Sequence, residues 1–260
     1  MPWTFAHPVA VLPLRRFCPA QFNFAALAIG ALTPDFGFYV NLFSLATDAH
    51  TLLGSFLVCL PTGLVLLACF YLVRRPIWHL LPQPHRALLE PLASGPVPVR
   101  PGALVCAALS IVIGAWSHIA WDSFTHRFGW VVIQYPVLQE PVIALGSGHL
   151  RLYNVLQHLS TLTGVMVLIA AYYFWLRRHG SKAIFLFSSE DRWRYVSLAA
   201  LLLVSAAVTV PLAASVAQAF EGYLAFRVFI FRSAVYGAAL FVPLLVLTAI
   251  FFYGKDREVV

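Results

Sequence analysis

Three stretches of this chain, residues 51–73, 195–217 and 233–254, contain no charged residue at all. Each is long enough to cross a bilayer as a helix, which takes roughly 20 apolar residues. Two more, 103–121 and 155–176, hold no Asp, Glu, Lys or Arg and one histidine each, His118 and His158. Between Phe17 and Thr47 there is a single charge, Asp35, so 17–34 reads as a sixth span. Such runs exclude a water-soluble domain. Only 10% of the 260 residues are charged, against about 25% in soluble domains. Backbone groups in lipid must be satisfied within the protein, and no period-2 alternation suggests a barrel. The expected fold is all-α: a polytopic helical membrane bundle of about six transmembrane helices. No soluble domain is evident, so 1–260 reads as one membrane domain.

The formal net charge of +7 does not point to nucleic acid, because the basic residues gather at the ends of the spans. Lys and Arg resist translocation and set orientation that way. With Arg15-Arg16, Arg74-Arg75 and Arg177-Arg178 in the cytoplasm, only Arg127, Arg151, Arg227 and Arg232 of the 17 basic residues lie outside. Six spans then place both termini on the cytoplasmic side. The expected partner is membrane lipid. Residues 74–102 and 177–194 read as cytoplasmic connectors, and the prolines of the first argue against a long helix there.

Ionisable side chains within membrane spans are expensive and usually face a cavity or a partner. Asp35, His50, His118, Asp122, His126 and His158 all fall near the same face under this topology, the outer one. None of them was used to assign it. His118 and Asp122 are four apart, so they share a helical face and can chelate one ion together. His126 is four further on, about 12 Å from His118 along a continuous helix. Either Asp122 bridges two ions, or the helix ends near Ser123 and turns His126 back. Imidazole and carboxylate donors suit zinc, iron, nickel or manganese. A hydrogen-bonded His–Asp pair without metal, or a proton relay in a transporter, would use the same residue types. Trp116, Trp121 and Trp130 surround this motif as interfacial anchors or substrate-lining groups.

The segments "HPVAVLPL", "AIGALTPDF", His50 before a Leu-rich span, and "IGAWSHIAWDSFTHRFGW" resemble a family of bacterial multi-pass membrane proteins of unknown function. Their order is similar to that of inner-membrane metal-dependent hydrolases, and to the all-helical zinc-dependent phospholipase C and nuclease fold. The resemblance covers roughly residues 1–165, leaving 166–260 as scaffold helices. It implies metal ligation by His7, Asp35, His50, His118, Asp122 and His126, with His158 as a possible addition. It also implies one or two divalent transition-metal ions, zinc foremost, and hydrolysis of phosphoesters or lipid head groups, with Asp122 or Asp35 positioning or deprotonating water. The later His-x-x-x-Glu helix of the zinc phospholipases has no counterpart here: His149 is followed four positions on by Tyr153, and His158 by Leu162. A non-enzymatic metal-binding or structural membrane protein is the alternative. The implied location is the bacterial cytoplasmic membrane, with the site near its outer face. His7 poses a difficulty, because an α-helix over 3–14 would reach only about 18 Å.

Overall fold

The computed structural model describes residues 3–145, 148–180 and 189–258, apart from 94, 96 and 98. A 3₁₀ helix (Thr4–Phe17) leads through a turn to α1 (Phe24–Gly30), a 3₁₀ turn (Thr33–Asp35), α2 (Phe36–Tyr39) and α3 (Phe43–Ala49). Helix α4 (Leu52–Gly54), a π turn (Ser55–Cys59) and α5 (Leu60–Leu80) then run on as one rod. After α6 (His85–Ala93) come α7 (Pro101–Thr125) and α8 (Trp130–Gln134). A small antiparallel ribbon, β1 (Pro141–Leu145) with β2 (Gly148–Arg151), precedes α9 (Leu152–His179), α10 (Arg192–Ala217) and α11 (Gly222–Glu258). Among the described residues, five helices are long and apolar enough to cross a membrane, namely Leu52–Leu80, Pro101–Gln134, Leu152–His179, Arg192–Ala217 and Gly222–Asp256. The molecule is a helical membrane bundle, as its charge-free runs require.

The sixth stretch, 17–34, is not one helix. The chain descends as the 3₁₀ helix, turns at 18–23 and climbs back through α1. Asn23 fixes the turn: its backbone N–H donates to Ser110 Oγ (3.0 Å), its side-chain amide donates to Tyr71 OH (3.0 Å), and its side-chain oxygen caps Ala26 N. Prolines at 8 and 13 lack the N–H that an α-helix interior needs. The 3₁₀ form also rises about 2.0 Å per residue, so 14 residues span about 28 Å instead of about 21 Å.

Helix α1 lies directly on α7. Gly30 and Gly114 face each other's backbones: a Cβ on Gly30 would overlap the Ile111 backbone, and one on Gly114 would sit 2.7 Å from Ala31 N. Small residues permit this close approach between membrane helices. Around it pack Ala26, Leu67, Ala107 and Ile111.

At the opposite end of the bundle, polar groups tie α5, α10 and α11 together. Buried Asp191 accepts from Gln83 N (2.8 Å) and Arg194 Nη1 (3.0 Å), Arg194 Nε donates to the His79 carbonyl (3.1 Å), and His79 Nε2 meets Asp256 (2.8 Å). Helix α5 therefore continues past Arg74-Arg75 and through Pro76 to Leu80, where the sequence suggested a break. Trp3 N donates to Thr161 Oγ1 in α9, and Asp256 in α11 lies beside His79.

Candidate metal centre

Four separate elements deliver side chains to one point. His118 and Asp122 occupy the last turns of α7, Asp35 ends the 3₁₀ turn behind Pro34, His50 follows the last residue of α3, and His7 lies early in the N-terminal 3₁₀ helix. His118 Nε2 is 3.6 Å from Asp35 Oδ1 and 3.4 Å from Asp122 Oδ2, and His50 Nε2 is 3.4 and 3.5 Å from the same two oxygens. His7 Nε2 reaches the other oxygen of Asp122, Oδ1, at 3.6 Å. Two trios, His7–Asp35–His118 and His50–His118–Asp122, each bring three donor atoms within 4.8 Å of one another.

These separations are informative. A charged N–H···O hydrogen bond is about 2.7–2.9 Å long. Four donors placed about 2.0–2.1 Å from one zinc ion at tetrahedral angles lie about 3.3–3.4 Å apart. The observed 3.4–3.6 Å separations are too long for the first and leave room for an ion between the donors.

The protons point the same way. His118 Nδ1 is 2.8 Å from the Ala31 carbonyl and His50 Nδ1 is 2.6 Å from the Ala46 carbonyl. A carbonyl only accepts, so in both rings Nδ1 carries hydrogen and a neutral ring turns a lone pair at Nε2 towards the carboxylates. Both nitrogens of His7, Asp35 Oδ1, His118 Nε2 and Asp122 Oδ1 are buried without a hydrogen-bond partner. Buried polar groups are nearly always satisfied, and a cation would satisfy one nitrogen of His7 together with donors of Asp35 and His118. Asp35 and His118 are fully buried and His7 is 1% exposed, while the side chain of His50 is 26% exposed, which gives the cluster one accessible flank.

His126 sits beside this set. Helix α7 ends at Thr125, and the extended backbone of His126 turns its ring back. Of the two arrangements open in the sequence, the turned-back one is therefore present. Its Nδ1 lies 3.4 Å from Asp122 Oδ1 and 3.2 Å from the Asp122 carbonyl, while Nε2 faces the Gln157 amide at 3.4 Å. His126 belongs to neither trio. His158 lies elsewhere, with Nε2 3.4 Å from Tyr223 OH. Trp121 packs its ring edge near His7 at 5.9 Å, Trp116 donates to Ser55 Oγ (2.9 Å), and Trp130 is exposed.

Sequence reasoning missed the groups that hold the ligands. Thr4 Oγ1 donates to Asp35 Oδ2 at 2.6 Å, the His7 ring stacks on His118 with centroids 3.7 Å apart, and Gln157 reaches His126. A buried threonine three residues before a candidate ligand carried no signal on its own. Glycines 30 and 114, which let α1 approach α7 closely enough to bring Ala31 to His118, likewise show their role only in the fold.

A family described as a domain of unknown function, DUF4184, matches residues 1–250. The chain belongs to the DUF4184 family. The match continues through α10 and most of α11, past the 1–165 portion that carries the polar cluster. No curated protein and no solved structure matches the chain.

Proposed function

We propose that this DUF4184 protein is an integral-membrane metal-dependent hydrolase acting on phosphoesters of the kind that lipid head groups carry. The observation that carries this reading is the set of inward-facing donor atoms: His50 Nε2 and His118 Nε2 face Asp35 Oδ1 and Asp122 Oδ2 at 3.4–3.6 Å. A divalent ion, zinc foremost, would supply an acidified water and electrostatic stabilisation of a developing oxyanion. The protein's own part is positional. Thr4 anchors Asp35 Oδ2, which leaves Oδ1 free to accept a proton from water or to complete the donor set. Ala31 and Ala46 hold the two imidazoles, and His7 shields the buried side by stacking on His118. The partly exposed flank at His50 leaves one side of the cluster accessible. The charge bias supports a cytoplasmic-membrane orientation with the Arg74-Arg75 end inside and the cluster towards the outer face.

One observation favours a second reading. Two histidines and two aspartates facing one another would, if all four bound one ion, close a four-coordinate site against water, as structural zinc sites do, and the ion would then tie helices together. Cobalt substitution separates the two. Under the hydrolase reading, azide added to the cobalt-loaded protein shifts its visible absorption, because an open position accepts it. An unchanged spectrum favours the structural reading. A protein purified without any transition metal, and unable to take up cobalt, removes both.

A further inference from the structure

A cavity of about 680 Å³ opens between the N-terminal 3₁₀ helix, the start of α9 and the start of α11. It lies within the volume range of pockets that bury small ligands, about 300–1,000 Å³. Its wall is mostly apolar, with Trp3, Leu224, Ile230, Phe231 and Val235 among the lining residues. Two other lining residues are shared with the polar cluster: Thr4, which donates to Asp35, and Gln157, which faces His126. The cavity is thus separated from the candidate centre by single side chains.

The mouth has a different character. Arg227, Tyr223 and Leu224 line both this cavity and a smaller polar one of about 250 Å³, which adds His149, Arg151, Asn154 and Glu221. Arg227 is exposed, 5.8 Å over the Tyr223 ring, and among the described residues it forms no ion pair within 4.0 Å. Arg151 is committed through Nη1 to the Gln139 carbonyl (2.8 Å). Two guanidinium groups against one carboxylate, Glu221, leave this end net positive. An arginine without a carboxylate partner, at the rim of an apolar chamber in a membrane helix bundle, suits phosphate geometry.

We propose that this paired cavity is an anionic-lipid site, with the acyl chain in the 680 Å³ chamber and the phosphate on Arg227. Its status as the substrate site rests on the hydrolase reading; the binding itself does not. A single lipid entering between α9 and α11 from the bilayer would hold its phosphate on Arg227 and lay its acyl chain against the Thr4–Gln157 wall, beside the candidate centre.

The test uses the full chain in a neutral detergent, titrated with dioleoyl phosphatidic acid and read by native mass spectrometry. Dioleoylglycerol serves as the neutral lipid and glycerol 3-phosphate as the chain-free phosphate. The proposal expects one phosphatidic acid per chain, held at least tenfold more tightly than dioleoylglycerol and not displaced by equimolar glycerol 3-phosphate. Arg227→Gln should weaken it tenfold or more, Arg227→Lys should retain part of it, and Ala234→Trp, which fills the chamber, should weaken both lipids. Equal retention of the two lipids, displacement by glycerol 3-phosphate, or an unaffected Arg227→Gln overturns the proposal. Metal content measured on the same samples separates the two claims. Metal retained while phosphatidic acid fails to bind removes the lipid site alone. Phosphatidic acid bound as expected by a protein that takes up no metal supports the lipid site and removes the hydrolase reading.

Discussion

Replacing Gly114 with alanine should damage the candidate centre without touching any of its donors. The added Cβ would overlap the Leu27 carbonyl oxygen and lie 2.7 Å from Ala31 N and 2.9 Å from Gly30 C, all backbone atoms of α1 or its C-cap. Ordinary van der Waals contact begins near 3.4 Å, so α1 must retreat by at least about 0.7 Å. That retreat stretches the 2.8 Å bond between His118 Nδ1 and the Ala31 carbonyl to about 3.5 Å, the limit of a hydrogen bond. Overpacking costs about 1–3 kcal/mol, and loss of an orienting partner typically weakens metal affinity by about 10–100-fold. The assay pairs thermal unfolding in detergent with zinc affinity from competition against a chelator. Gly237→Ala is the control, because its Cβ would meet nothing nearer than Thr209 Oγ1 at 3.8 Å; it should be neutral or stabilising by up to about 1 kcal/mol. Wild-type zinc affinity in Gly114→Ala would refute the claim that the α1–α7 contact positions His118.

Thr4→Val leaves Asp35 Oδ2 buried without its donor and should cost about 1–3 kcal/mol in thermal or denaturant unfolding, whereas Thr4→Ser should be close to wild type. A Thr4→Val protein as stable as wild type would contradict the assigned bond. His126→Ala should keep its metal in elemental analysis, because His126 lies outside both donor trios, whereas His118→Ala should lose it; equal loss in both would place His126 among the ligands. Asp191→Ala strands the buried Arg194 guanidinium and the Gln83 N–H at the far end of the bundle. It should destabilise by about 3–5 kcal/mol and leave metal content unchanged, and a loss under 1 kcal/mol would show that this latch is not structural.

The long helices were legible because lipid leaves no alternative: a 23-residue run such as 51–73 without charge has to be helical and cannot remain in water. His118 and Asp122 were legible for a related reason, since a four-residue spacing inside such a helix fixes their relative placement within one turn. The convergence of Asp35 and His50 on them follows from rarity, because each is an ionisable group beside an apolar run. The N-terminal segment was not legible. Pro8 and Pro13 forbid a regular α-helix but do not by themselves choose a 3₁₀ helix, and the choice changes its reach by about 7 Å. That extra rise, with a turn at 18–23 in place of a crossing span, is how His7 reaches the cluster from a chain that carries Arg15-Arg16 to the level of Tyr71. The ribbon formed by β1 and β2 was also missed. Its pairing begins with a proline and carries a register irregularity between Pro141 and Ile143, so the period of two is broken within five residues.

Whether this cluster of histidines and aspartates holds a cation is best tested by counting metal. Elemental analysis of the purified full chain should find at least one transition-metal ion per polypeptide, and Asp122→Asn, which keeps size while removing the charge that faces His7, His50 and His118, should bring that number to near zero with the fold intact by circular dichroism. A folded wild-type protein that holds no such ion even after incubation with zinc, or an Asp122→Asn variant that keeps its full complement, would contradict the account.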